Sequence, residues 1–231
     1  MKTFAFLAAV LAATVAVAAH AEERRIQVYG TGTAEAAPDM ATITVGVTNQ
    51  DAQASAAMQA TSDAVATVLS RLSEMGIESR DLQTRDLSLS PVWSGRGNAD
   101  GEAPRITSFV ASNRVFVRVR NLDDLGQIMD AVIQDGANDF GGLTFTVQDP
   151  KPLEAKARAQ AVADATAKAE QLAQAAGVTL GSVVSINEQG GGIRPMPQMR
   201  EMAMADSGGV PVAGGEVSVS VTVSMEFDIS E

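Results

Sequence analysis

Four methionines lie close together in the sequence, and their side chains have the clearest potential for chemistry. They fall within nine residues of a segment rich in glycine and proline: Met196, Met199, Met202 and Met204. Thioether sulfur is a soft ligand that selects Cu(I), so the cluster is compatible with a copper site. Exposed methionine is also oxidised reversibly, so the cluster could instead absorb oxidant. The interpretation we favour is the third, an adaptable apolar contact surface.

The composition removes most other catalytic and metal-binding chemistry. The chain has 231 residues, no cysteine and one histidine, His20. His20 lies in residues 1–21, where Lys2, a short apolar run and an Ala-His-Ala ending are typical of a cleaved signal peptide. Without that segment a Ser-His-Asp triad, a Cys-His pair, a disulfide and the common zinc sites are excluded. We therefore expect a periplasmic protein with no cofactor and no transmembrane segment in its mature chain, in which an enzyme would have to use carboxylates, Ser, Thr, Arg, Lys or Tyr.

The charge balance is acidic, with a formal net charge of −11. This disfavours nucleic acid as a partner, because phosphates would be repelled. One basic stripe opposes the trend and alternates along a predicted strand: Arg114, Phe116, Arg118 and Arg120. Such a stripe could bind single-stranded nucleic acid. We expect it to pair with acidic residues instead, with Glu226 and Asp228 as candidate partners, either in the same chain or across a subunit interface.

Hydrophobic periodicity predicts ten elements in the order ββαββαβαββ. Apolar residues alternate with polar ones, as in half-buried strands, at 26–33, 40–48, 82–92, 106–120, 143–147, 178–186 and 216–230. Apolar or alanine stripes at helical spacing, each followed by glycine, predict helices at 51–75, 121–135 and 150–176. The central elements match the split βαβ arrangement of ferredoxin-like folds. We predict an α+β domain over 22–231, with mainly antiparallel sheet, helices on one face and a long irregular loop at 188–215.

Three details of these elements are testable against a structure. Gly30-Thr31-Gly32 resembles half a dinucleotide loop, but no helix follows it, so a tight backbone contact is the better interpretation. The third helix is expected to bury a row of alanines together with two leucines: Ala157, Ala161, Ala165, Ala169, Leu153 and Leu172. The regular last strand, 216–230, is a plausible edge for pairing between subunits.

Several stretches, taken in order, resemble a known family. They are Val28-Tyr-Gly-Thr-Gly-Thr-Ala-Glu35, Ala37-Pro-Asp-Met-Ala-Thr-Ile43, Asp86-Leu-Ser-Leu-Ser-Pro91, Gly136-Ala-Asn-Asp-Phe-Gly-Gly-Leu143 and Ala161-Val-Ala-Asp-Ala-Thr-Ala-Lys-Ala-Glu170. Their order and spacing resemble the SIMPL-domain family of bacterial envelope proteins, which includes periplasmic immunogenic and oxidative-stress-defence members. The resemblance implies a secreted, non-catalytic protein that forms homo-oligomers and is associated with envelope and oxidative stress.

The family supplies no catalytic or cofactor-binding residue that could be transferred to this chain. Its members differ most in the segment that corresponds to 188–215, so the methionine cluster is not inherited from them. We therefore expect a self-assembling envelope protein. The alternative is a periplasmic copper-binding or ligand-binding module that works through the methionine cluster. An enzyme that uses a pair of carboxylates is the weakest possibility, since the acidic residues are explained by helix capping and surface charge.

Overall fold

The computed structural model describes residues 24–94, 103–196 and 212–231. The predicted signal peptide and three of the clustered methionines, Met199, Met202 and Met204, lie outside these ranges. The fourth methionine, Met196, is the last residue of a strand, and only its backbone is described. No helix in the described part of the chain is long and apolar enough to cross a bilayer.

The predicted order ββαββαβαββ is confirmed. The strands are β1 (Arg25–Ala36), β2 (Met40–Asp51), β3 (Leu82–Trp93), β4 (Ile106–Val119), β5 (Asp139–Thr146), β6 (Thr179–Met196) and β7 (Glu216–Ser230). The helices are α1 (Ala54–Glu74), α2 (Leu125–Gln134) and α3 (Lys151–Ala176). Gly76, Gly136 and Gly177 follow the three helices with positive φ, as the predicted helix ends require.

The predicted α+β class with antiparallel strands is also confirmed, but the strands form two sheets. A four-stranded sheet has the order β3-β4-β2-β5, and a three-stranded sheet has the order β1-β7-β6. Every strand pair is antiparallel. The four-stranded sheet contains the predicted split βαβ units, because β4 lies between β3 and β2, which flank α1 in the chain.

The four-stranded sheet is covered by helices on one face. Ile43, Val45 and Val47 of β2 are buried, as their alternation predicts. They pack with residues of β4, α1 and α2 in one hydrophobic cluster that includes Val115, Val117, Val119, Val65, Val68, Leu72, Leu125, Ile128 and Val132. The alternate residues of β4, with Arg114, Phe116 and Arg118 among them, therefore lie on the opposite face.

The three-stranded sheet packs against α3, and β7 lies at its centre. The expectation that the last strand offers an edge for pairing between subunits is wrong, because β1 and β6 bond to its two sides. The central position explains the regularity of β7, whose inward face is buried from Val217 to Phe227. The free edges of the molecule belong to other strands.

The row of alanines on α3 is buried as predicted, but Leu172 is not. The buried residues recur at every fourth position: Ala157, Ala161, Ala165, Ala169 and Ala173. Leu172 is 51% exposed because it lies about 100° around the helix from Ala173. The second predicted leucine, Leu153, is partly buried against the same cluster. The fully buried positions of α3 are therefore all alanine, and the leucine at the start of the row is only partly buried.

The expected tight contact at Gly30-Thr31-Gly32 is confirmed. A Cβ at Gly30 would lie 2.7 Å from Cβ of Ala165, and one at Gly32 would lie 2.8 Å from Cβ of Gln160, with backbone atoms of α3 closer still. The energy of a contact between two non-bonded carbon atoms is lowest at a separation of about 3.5–4.0 Å. The glycines of β1 and the alanines of α3 are therefore both needed for the helix to pack this close to the strand.

The prediction of an irregular segment at 188–215 is wrong for residues 188–196, which belong to a strand. β6 continues as far as Met196 and pairs with β7, from Glu188 opposite Val223 to Met196 opposite Glu216. The pairing shifts register between Gln189 and Gly192, where glycine allows an irregular strand. A strand with so many glycines shows no clear alternation of apolar and polar side chains. It forms because it pairs with β7, and that pairing is not evident from the local sequence.

Candidate functional site

The edge strand β3 carries a row of apolar side chains that the chain does not bury. Leu87 is 60% exposed, Leu89 is 42% exposed and Trp93 is 55% exposed. Leu87 and Leu89 alternate with Ser88 and Ser90, the pattern that predicts a half-buried strand. The strand is present, but its apolar row faces solvent. Large exposed apolar side chains that lie together are typical of an interaction surface.

The other edge of the same sheet has a similar character. At this edge, β5 exposes Phe140 and Leu143. At the β3 edge, Ile106 of β4 is exposed opposite Trp93 and enlarges the apolar surface there. In the three-stranded sheet, the edge strand β6 exposes a further apolar group, Val183, Val184 and Ile186. In the described ranges, three edge strands therefore combine a backbone edge without a strand partner with exposed apolar side chains.

The β1 edge is different because side chains of α3 cover it. The backbone N–H of Thr31 donates to Oδ2 of Asp164 at 2.8 Å, and that of Thr33 donates to Oε1 of Gln160 at 3.1 Å. Nζ of Lys168 donates to the carbonyl oxygen of Tyr29 at 2.9 Å. These bonds occupy edge groups that a further strand would need, so β1 is not available for strand addition.

Asp164 is the centre of this cover. Nζ of Lys168 lies 2.7 Å from Oδ2 of Asp164, one turn away on α3. The hydrogen bond from Lys168, followed by that from the N–H of Thr31, lowers the pKa of Asp164 below its ordinary value. The carboxylate is therefore held in the charged form that accepts from the backbone. No comparable row of side-chain bonds to backbone is found along β3, β5 or residues 179–189 of β6.

The sequence missed the residues that cover β1, although a signal was present. Gln160, Asp164 and Lys168 recur at every fourth position and form a polar row directly beside the alanine row of α3. Such a row is typical of a solvated helix face. Because small residues on both sides bring α3 close to β1, these side chains instead reach the backbone of the strand.

The basic stripe pairs with acidic residues as expected, but not with the predicted ones. Nε of Arg114 donates to Asp139 at 2.7 Å, and Arg120 donates two hydrogen bonds of 2.7 Å to Asp81. Glu226 and Asp228 lie on β7 in the other sheet, where both contact Arg25 instead. Within one chain, the prediction of these two partners is wrong, because it could not assign the strands to separate sheets. Pairing with them across a subunit interface stays a prediction.

Asp81 is the most deeply buried carboxylate of this group, with 3% of its side chain exposed. The hydrogen bonds from Arg120, assisted by the positive charges of Arg120, Arg80 and Arg118, lower the pKa of Asp81. The pKa of Arg120 is raised in turn by its bond to Asp81. Both oxygens of Asp81 are occupied, so the carboxylate fixes the start of β3 to the end of β4.

Metal-binding potential is limited in the described ranges. No group of three or more His, Cys, Asp or Glu side chains suited to a metal ion is found in 24–94, 103–196 and 212–231. The methionine cluster lies outside these ranges except for the backbone of Met196, so the copper, oxidant and contact hypotheses all remain predictions.

Comparison with known proteins assigns the chain to a family. Residues 26–227 match the model of the SIMPL family, described as a protein of unknown function (DUF541). The chain is 40% identical over 211 residues to the 26 kDa periplasmic immunogenic protein of Brucella melitensis, covering 89% of this chain and 84% of that protein. It is 31% identical over 197 residues to the uncharacterized protein YggE of Edwardsiella ictaluri, covering 85% and 81%. The chain belongs to the SIMPL family.

Proposed function

We propose that this SIMPL-family protein is a non-catalytic periplasmic protein that acts by assembling into a homo-oligomer through its uncovered strand edges. The observation behind this proposal is the exposed apolar row of β3, in which Leu87 and Leu89 lie on a free edge. Strand addition at such an edge would pair the free backbone groups and bury the apolar side chains together.

The topology favours β5 of a second copy as the strand that meets β3. β3 and β5 are the two edges of one sheet and run antiparallel, since each step of β3-β4-β2-β5 reverses direction. If a second copy in the same orientation placed its β5 beside β3 of the first copy, these two strands would be antiparallel and the sheet would continue through both copies. Pro91 lacks an N–H, so we expect the new pairing along 82–90.

Light scattering on the chain without residues 1–21 tests the assembly. We expect a multiple of the single-chain mass at micromolar concentration, and a shift toward the monomer in the double variant Leu87→Lys/Leu89→Lys. The variant should fold, because both side chains are exposed and such substitutions usually change stability by about 0.5 kcal/mol or less. The matched control is Leu172→Lys, which places a charge at an equally exposed leucine of α3. A monomeric wild-type protein would contradict the proposal.

Cross-linking can identify the strands because the chain contains no cysteine. Ser88→Cys marks β3 and Thr144→Cys marks β5, and a short bis-maleimide tolerates small differences in register. If β3 meets β5 of a neighbour, a mixture of the two variants forms cross-linked dimers and neither variant does so alone. Dimers of Ser88→Cys alone would indicate symmetric pairing of β3. An oligomer that gives none of these products would show that other surfaces mediate assembly.

Export and a role in tolerance of envelope or oxidative stress complete the proposed function. Residues 1–21 have the composition of a signal peptide, and the relatives from Brucella are named periplasmic immunogenic proteins. Cell fractionation with N-terminal sequencing should find the chain in the periplasm, starting at Glu22. A deletion strain should be more sensitive to hydrogen peroxide, and Leu87→Lys/Leu89→Lys should fail to complement it. Full complementation by that variant would separate stress protection from assembly.

A second candidate function is binding of Cu(I) by the methionine cluster. It is supported by four thioethers within nine residues, Met196, Met199, Met202 and Met204. Titration calorimetry with Cu(I) should then give saturable binding that a variant with leucine at all four positions loses. Equal binding by both proteins would exclude the cluster as the metal site.

A further inference from the structure

The open face of the four-stranded sheet carries a concentration of arginines that strand pairing at the edges does not use. Five of the 17 basic residues lie on this face or at its margin: Arg80, Arg85, Arg114, Arg118 and Arg120. The chain as a whole has a net charge of −11, whereas on this face the arginines outnumber the carboxylates beside them, which are Glu78, Asp81, Asp86 and Asp139. A cationic face on an acidic protein favours an anionic ligand.

Three of these arginines are neutralised by carboxylates nearby. Arg120 donates two hydrogen bonds to Asp81, Arg114 donates to Asp139, and Nε of Arg80 lies 2.9 Å from Glu78. The pairs fix these side chains and leave little charge for a ligand.

The other two arginines keep an excess of positive charge. No carboxylate of the described residues lies within ion-pair distance of Arg85. The nearest carboxylate to Arg118 is Asp81, at 4.0 Å, and both oxygens of Asp81 already accept hydrogen bonds from Arg120. Among the described residues, Arg85 donates to Oε1 of Gln83 through Nε and one terminal nitrogen, so both guanidiniums keep N–H donors for a ligand.

Both groups are held in place by the same aromatic ring. Cζ of Arg85 lies 4.2 Å from the centroid of Phe116, and Cζ of Arg118 lies 5.8 Å from it. Cation–π contact orders a long side chain without using its hydrogen-bond donors. Arg85 is also oriented by Gln83, whose Oε1 lies 3.3 Å from one terminal nitrogen of the guanidinium.

A pocket of about 410 Å³ is lined by Phe116, Arg118 and residues 79–83. Its carboxylate, Asp81, already accepts two hydrogen bonds from Arg120, and Arg85 lies beside the pocket against Phe116. On the neighbouring strand β2, Thr42 lies opposite Arg118 and Thr44 lies opposite Phe116 in the register. Their hydroxyl groups add polar donors to the same face. The surface therefore combines two fixed cations, hydroxyl groups and space for a small molecule.

We propose that this face binds a small ligand with two or more oxyanion groups, carboxylate or phosphate, and that Arg85 and Arg118 are its anion-binding residues. Guanidinium binds either group through paired N–H donors. The two guanidiniums reach Phe116 from different strands, so a ligand with two separated anionic groups can use both. A monoanion can use one.

Titration calorimetry at low ionic strength tests the site, with citrate and pyrophosphate as probes and acetate as the monoanion. We expect saturable binding of at least one polyanion, and weaker binding of acetate. Arg85→Gln/Arg118→Gln should weaken the polyanion about tenfold or more, since each lost charged hydrogen bond has that order of effect. Arg71→Gln/Arg158→Gln removes the same charge at arginines paired with Asp135 and Glu188, and should change affinity less than about twofold.

NMR of the wild-type protein gives a readout that does not depend on folding of a variant. On addition of the polyanion, the Nε–Hε signals of Arg85 and Arg118 should shift with one saturation curve, and that of Arg158 should not. Absence of saturable binding in the wild type, or equal weakening in both double variants, would overturn the proposal. Light scattering of Arg85→Gln/Arg118→Gln should show an unchanged mass, so failure here is distinct from failure of the assembly.

Discussion

Replacement of Gly30 by alanine should destabilise the protein strongly for so small a change. Gly30 lies in β1 where α3 crosses the sheet, and an added Cβ would meet Cβ of Ala165 at 2.7 Å. The obstacle includes backbone atoms of Ala161 and Ala165, which cannot rotate away as a side chain does. The added Cβ would lie 2.0 Å from the carbonyl oxygen of Ala161, so the helix itself must move outward by about 1.5 Å to restore normal contact distances.

The cost has two parts. Overpacking of a well-packed interface costs about 1–3 kcal/mol. An outward shift of α3 also lengthens the hydrogen bonds from Thr31 to Asp164 and from Thr33 to Gln160, and each contributes about 1 kcal/mol. We therefore expect Gly30→Ala to lower the free energy of unfolding by about 3–5 kcal/mol. For a chain of this size the corresponding fall in Tm is about 10 °C.

Urea denaturation followed by far-UV circular dichroism measures this change. The matched control is Gly141→Ala in β5, where an added Cβ meets no atom within 4 Å and φ is not positive. The control should stay within about 1 kcal/mol of the wild type, since a surface change of this kind has a small effect. If Gly30→Ala were as stable as Gly141→Ala, the close packing of β1 against α3 would not be what requires glycine.

Two further predictions concern charged side chains. Because its native pKa is depressed, Asp81 contributes stability above its unfolded pKa of about 4, and this contribution is lost as the pH falls through the native value. Asp81→Asn should be about 2–3 kcal/mol less stable at pH 7 and should lose less stability than the wild type between pH 7 and pH 3 in urea titrations. Gln160→Ala/Asp164→Ala should expose the β1 edge and increase aggregation measured by light scattering, whereas the same changes at Gln174 and Glu170 should not.

The order and type of the elements could be predicted because their signals are local. The alternation of Ile43, Val45 and Val47, or the spacing of Val65, Val68 and Leu72, depends on which neighbours lie on the same face of one strand or helix. Gly76 and Gly177 end helices through their own backbone conformation. None of these properties requires knowledge of a distant partner.

The partition into two sheets could not be predicted because it depends on distant pairing. Arg25 pairs with Asp228 across almost the whole chain, and β7 enters between β1 and β6. The same lack of long-range information gave the wrong partners within the chain for Arg114 and Arg120, and placed β7 at an edge. It also hid the strand character of 188–196, which forms because β7 is long enough to pair with it.

The exposure of Leu87 and Leu89 is a further case in which pattern and environment differ. Alternation of apolar and polar residues indicates that the two faces of a strand differ in polarity, but it does not indicate whether a helix covers the apolar face. On β2 and β4 the cover is present, and Val45 and Val115 are buried. On β3 the same pattern meets no cover within the described chain, so the unburied row is visible only when the neighbours are known.

The contrast between the β1 edge and the other edges supports assembly as the explanation of that row. Natural proteins protect free edges with charged side chains, above all lysine, or cover them with another element. The lysines that follow residue 21 are Lys151, Lys156 and Lys168, and all three lie on α3, where Lys168 protects β1. β3 and β5 have no lysine. β3 carries Arg85 and Asp86 at a register shift, which protects that part of its edge, but Leu87 and Leu89 remain exposed beside it. A chain that covers one edge with a helix and leaves leucine and phenylalanine exposed along the others has the surface expected of a subunit, and the cross-linking of β3 to β5 is the direct test of that reasoning.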